Sequence, residues 1–124
     1  MLDLWNGAAI DPSTIYAATC SENGVSSITP VDVGADVARL RAALHDLRFD
    51  VEGWTRAGNT WYLLRLLAAG THIGSLETPV GTAAPSGARL ELRGLEAFEV
   101  RNARISAVWL AWDWSDVFRA LSPE

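Results

Sequence analysis

The sequence predicts an α+β fold in which helices come first and then cover a curved antiparallel sheet. Three observations predict it. Apolar residues recur at helical spacing only before about residue 47. From Leu47 onward the period changes to two. Turn-forming stretches such as "AGNT" and "RNAR" then separate the alternating runs. Helices segregated to one side of an antiparallel sheet make an α+β domain. A strongly curved sheet closed by helices makes a cone with one deep pocket, the usual place for a small-molecule ligand.

The elements follow in order. In "DPSTIYAATC", Asp11 reads as an N-cap and Pro12 as the first helical residue, which predicts a short helix. A loop through "ENGVSSITP" comes next. Val33, Val37, Leu40, Leu44 and Leu47 recur at steps of four and three, one face of an amphipathic helix with Asp32 as its cap. Leu47, Phe49 and Val51 then alternate with Arg48, Asp50 and Glu52, a half-buried strand. "WYLLRLLAAG" reads as a strand buried on both faces, and "SLETPVGTAAPSG" as a long loop. Leu90, Leu92, Phe98 and Val100 all fall on even numbers and predict one face of a strand. The last strand runs from Ile105 to Trp114, and Ser115 caps a short helix ending at Leu121. About four strands thus form a meander.

The 124 residues suit one domain spanning 1–124. Hydrophobic residues make up 49% and charged residues 20%, which is globular and not disordered. A net charge of −5 argues against nucleic acid and against an anionic membrane surface. All ten basic residues are Arg. Without Lys there is no Schiff-base, pyridoxal phosphate or P-loop lysine. Lone Cys20 cannot form an internal disulfide, which fits a reducing, cytoplasmic setting. No local motif supports a Cys–His pair with His45 or His72. Two histidines without metal-ligand spacing predict no metal, and no organic cofactor is expected. There is no signal peptide, and the longest apolar run is too short to span a bilayer.

The candidate site begins with "ISAVWLAWDWS". Regular alternation puts Ile105, Ala107, Trp109, Ala111 and Asp113 on one face, with Trp112 and Trp114 on the other. Asp113 then ends a wall of small and aromatic residues, where a carboxyl pKa rises and suits proton transfer. Alternatively Asp113 faces water just before its cap. His72 either polarises a carbonyl or ends a buried strand as a packed histidine. Glu96 is in phase with Leu92 and Phe98. It is either a second pocket acid, with Arg65 as a possible partner, or it is turned outward by a bulge near Gly94. Trp54 and Trp61 line the cavity, pack in the core, or form a dimer interface.

Five stretches share an order and spacing with a known family. They are "LWNG", "GTHIG", "APSGARLELRG", "FEVRNARI" and "WLAWD". Together they resemble the SnoaL-like polyketide cyclases, within the nuclear-transport-factor-two-like superfamily of cystatin-like α+β barrels. The resemblance implies a cofactor-independent cyclase or isomerase acting on a small, hydrophobic, polycyclic, polyketide-like substrate in natural-product biosynthesis. It further implies that the acid ending the last strand, here Asp113, acts as general acid/base with His72. Asn23 in "SENG" would lie near the pocket mouth, with Trp109, Trp61, Glu96 and Trp54 as binding residues. A homodimer would cover an apolar convex face. Many relatives have an acidic residue or His where this chain has Ala107 and Val108. Two other readings stay open: an epoxide-opening cyclase or epoxide hydrolase of the same fold, and a non-catalytic binding or dimerisation domain.

Overall fold

The computed structural model describes residues 2–24, 26–79 and 81–115. Its elements are α1 (Leu2–Trp5), a 3-10 turn (Pro12–Thr14), β1 (Tyr16–Glu22), β2 (Ser26–Ile28), α2 (Pro30–Ala43), β3 (Leu44–Ala57), β4 (Trp61–His72), β5 (Leu76–Thr78), β6 (Gly81–Ala83), β7 (Arg89–Arg101) and β8 (Arg104–Trp112). The main sheet has the order β2-β1-β8-β7-β4-β3, and β5 and β6 pair separately. Every neighbouring pair is antiparallel except β1 with β8, which run parallel. Register shifts in the β1–β8, β3–β4 and β7–β8 pairs bend the sheet. The α+β architecture of the sequence is therefore present, with six strands in the sheet.

Several local expectations are corrected. Asp11 does cap, accepting from Ser13 N at 2.9 Å. The helix stops after one turn, because Tyr16–Glu22 joins the sheet edge-on to β8. The "ENGVSSITP" stretch is a hairpin, with Cys20 opposite Ile28. The cap of α2 is Thr29, and Asp32 completes a reciprocal capping box at N3. Leu44 and Leu47 continue the helical spacing by coincidence and belong to β3. β4 is buried on one face only: Leu66, Ala68, Gly70 and His72 point inward, while Leu63 is exposed. The long loop after Gly74 carries the β5–β6 hairpin. The helix expected to run to Leu121 lies outside the described residues.

The core forms where α1 and α2 pack on the inner face of the sheet. One cluster holds Leu44, Leu47, Phe49, Ala68, Leu76 and Leu90. The other joins Leu4, Tyr16, Cys20, Val33, Ile105 and Val108. The "LWNG" motif is the hinge between helices and sheet. Asn6 brackets the Phe49 backbone, donating from Nδ2 to its carbonyl at 3.1 Å and accepting its N–H at 2.7 Å. Arg41 of α2 donates to the carbonyls of Trp5 and Leu47 at 3.2 and 2.9 Å. These bonds hold Trp5 over the sheet.

The "GTHIG" motif is a second seam. Ile73 and Gly74 donate their backbone N–H groups to the Ala43 carbonyl, at 2.9 and 3.0 Å. A Cβ at residue 74 would stand 2.7 Å from the Ala42 oxygen, so only glycine lets β4 approach the end of α2 this closely. No helix among the described residues is long and apolar enough to cross a membrane.

Candidate functional site

The site lies between the helices and the inner face of the sheet. Two adjoining cavities, of about 270 and 510 Å³, share Trp5, Asp36, Glu96, Leu110, Trp112 and Trp114 in their walls. Their walls are mostly apolar. Trp5 packs edge-on to Phe49 at a centroid distance of 5.9 Å, and Phe49 lies 6.0 Å from Trp112.

Glu96 projects into this interior because β7 pairs with both neighbours without a break around it. It stands between Leu64 of β4 and Leu110 of β8. No bulge at Gly94 turns it outward. Gly94 instead pairs with Trp112, and a Cβ there would fall 2.5 Å from the indole. The ring thus lies directly on the strand backbone beside Glu96. Arg65 is not the partner of this carboxylate; it lies over Gly53 and reaches the Glu52 carbonyl at 3.4 Å. Glu96 Oε1 is buried with no hydrogen-bond partner among the described residues. Burial raises its pKa from an ordinary 4.5 to about 7.

Tyr16 faces the larger cavity from β1. Its hydroxyl oxygen accepts the Trp5 indole N–H at 3.0 Å. Its own O–H therefore remains to be donated. Burial pushes the phenol pKa up, and the nearby charge of Glu96 adds to this. An ionisable acid near neutrality and a fixed hydroxyl donor thus meet in one apolar cavity, a pairing that can move a proton and steady an oxygen.

The sequence-derived residues are distributed differently. The extra residue Ser106 in the β7–β8 ladder shifts the alternation, so Ile105 points inward while Ala107, Trp109 and Ala111 face outward. Asp113 is exposed; its Oδ1 accepts from Ser115 N at 2.9 Å and from the Ser115 hydroxyl. Trp109 and Trp54, 48% and 68% exposed, line an outer trough with Leu63 and Leu95. Trp61, half-buried at the start of β4, lines none of the cavities described.

Asn23, at the β1–β2 turn with φ 52°, touches the trough and the larger cavity. It is held by its own ladder: its N–H donates to Val108 O at 2.8 Å, and its Oδ1 accepts from Leu110 N at 2.9 Å. His72 is fully buried at the β4 seam, with Nδ1 2.9 Å from Ser86 Oγ and Nε2 unpartnered. It lines neither interior cavity. Of the residues singled out from sequence, Glu96 and Asn23 therefore border the interior.

Sequence reasoning missed Trp5, Tyr16, Phe49, Trp112 and Trp114 as cavity walls. Trp5 was signalled by "LWNG", and Trp112 by its parity opposite Trp109. Tyr16 was hidden by reading its segment as helix. Among the described residues, no three His, Cys, Asp or Glu side chains converge as metal ligands.

Comparison with known proteins places this architecture. TsrD from Streptomyces laurentii superposes with a TM-score of 0.81 at 17% identity, covering 98% of this chain and 88% of that one. A SnoaL-like polyketide cyclase from Agrobacterium tumefaciens gives 0.78 at 24% identity, over 98% and 91%. IdmH from Streptomyces antibioticus gives 0.74 at 19%, over 97% and 91%. At these identities the likeness is one of fold. No curated protein matches the chain in sequence. The family model for SnoaL-like polyketide cyclase matches residues 1–121, and with this fold beneath it the chain belongs to the SnoaL-like polyketide cyclase family.

Proposed function

We propose that this protein is a cofactor-independent cyclase or isomerase of polyketide-like metabolites, and that Glu96 is its proton-transfer group. Family membership supports a polyketide cyclase role in general. The observation that carries the finer reading is the Glu96 carboxyl, buried in an apolar cavity with an unpartnered oxygen and a pKa raised to about 7. A group poised there exists in both protonation states at neutral pH, which is what a general acid/base needs.

In this reading the Glu96 carboxylate takes a proton from the carbon beside a substrate carbonyl. The Tyr16 O–H, oriented by Trp5, donates to the developing enolate oxygen. The new carbon–carbon bond forms as the enolate attacks a second carbonyl, and Glu96 returns the proton to the resulting alkoxide. Asp113 and His72 were the acid/base pair expected from sequence. Asp113 lies on the exposed side of the sheet end, and His72 lies off the interior cavities, so the step falls to Glu96.

Deuterium uptake at C2 of 1-tetralone in D2O tests this. Glu96→Gln is expected to slow uptake about a hundredfold or more, Tyr16→Phe less, and Asp113→Asn hardly at all. Unchanged uptake in the Glu96→Gln protein would overturn the assignment, and a loss confined to Asp113→Asn would move the role there.

We also propose that a second copy of the chain covers the outer trough, where Trp54, Leu95 and Trp109 are 68%, 63% and 48% exposed. Leu95→Arg places a charge at the middle of that surface. Sedimentation is expected to show a dimer for the wild type and a monomer for this variant; a wild-type monomer at high concentration refutes the idea.

A further inference from the structure

The larger cavity has a composition that proton transfer alone does not use. Its described walls carry three carboxylates, Glu22, Asp36 and Glu96, and no basic side chain. Trp5, Tyr16, Trp112 and Trp114 line the same space. Among the described residues, the nearby cations are engaged. Arg39, in the wall of the smaller cavity, is bonded to Asp36 at 2.8 Å. Arg41 is held by two backbone carbonyls. Glu96 Oε1 has no hydrogen-bond partner among the described residues.

Ring faces are negative at their centres, and the half-buried carboxylates of Glu22 and Glu96 add to that field. An anionic ligand would meet the Glu22 and Glu96 carboxylates and no basic side chain among the described walls. An uncharged flat ligand would stack on the indoles but leave the negative field unbalanced. A substituted ammonium group satisfies both features, since its alkyl groups pack on aromatic faces while its charge meets the carboxylates.

We propose that this larger cavity is an ammonium subsite, so that the substrate of the reaction proposed above carries a protonated or quaternary amine. The inference rests on reading the interior cavity as the substrate site. It also links the subsite to the chemistry. A positive charge beside Glu96 favours its ionised form, the base with which the proposed reaction starts. Glu22 holds the cation, since Asp36 is already paired with Arg39, while Glu96 keeps its proton-transfer role.

Choline and its uncharged isostere 3,3-dimethylbutan-1-ol are the probes, followed by tryptophan fluorescence and calorimetry on the intact protein. Choline is expected to bind about tenfold tighter or better than the isostere. Glu22→Gln is expected to narrow that ratio. Choline binding should release protons near neutral pH, and its affinity should fall about tenfold between pH 8 and pH 6 as Glu96 takes up its proton. Equal binding of the two probes, or no choline binding, overturns the subsite. Equal binding leaves the cavity as an apolar ligand site, and the tetralone exchange separately decides whether Glu96 transfers protons.

Discussion

At Glu96, burial opposes charge, and the sign of the consequence can be worked out. Its carboxyl ionises more readily in the unfolded chain, near 4.5, than in the folded one, near 7. Between those values the folded state holds the extra proton, so stability falls as pH rises. The penalty is absent below about pH 4.5, complete above about pH 7, and on the order of 3 kcal/mol. Urea denaturation at pH 5 and pH 8 is expected to show this fall in the wild type and to show it flattened in Glu96→Gln. Two residues earlier, Gly94→Ala should cost roughly 1–3 kcal/mol, because the added methyl meets the Trp112 ring at 2.5 Å. A thermal midpoint unchanged in that variant would contradict the contact. The inward direction of Glu96 was legible from the period-two spacing alone. What the spacing left open was a bulge at the neighbouring glycine, and the Trp112 ring resting on Gly94 answers that. The exposure of Asp113 was less legible, since its face depends on one inserted residue upstream.

At the level of elements, local signals succeeded where hydrogen bonding is local. Turns at 58–60 and 102–103 and the alternation of β7 were readable, while the cap of α2 was placed three residues late, at Asp32 instead of Thr29. β1 was not, since its extended form depends on a parallel partner some ninety residues away, with Tyr16 opposite Ile105. Helix propensity is a weak prior against such pairing. Ser106 misled in another way. One extra residue in β8 reverses every side chain beyond it, and nothing in "RISAVW" announces it. The β7–β8 turn carries its own prediction. Asn102 and Ala103 have φ of 50° and 60°, a geometry that asks for Asn-Gly. Ala103→Gly is expected to raise stability by up to about 1 kcal/mol, measured by thermal melting. A lowered midpoint would show the turn to be unstrained.

For the whole molecule, the α+β arrangement and its helix-covered sheet were readable because hydrophobic period is a global property of the chain. The location of the cavity was not, because it depends on how "LWNG" docks. Asn6 and Arg41 fix Trp5 above Phe49 through backbone atoms of β3, and those contacts leave no periodic trace. The resemblance carried the family, while the walls of the site had to come from three-dimensional packing.

Cys20 is completely shielded where β1 meets α2 and β8, in the cluster with Tyr16, Val33, Ile105 and Val108. It is the chain's single thiol. A thiol reagent can reach it only when that seam parts, so its labelling rate is a built-in stopwatch for breathing of the cavity wall. A guest held beside Tyr16 would slow that clock, reporting occupancy without a substrate, a product or an assay of turnover.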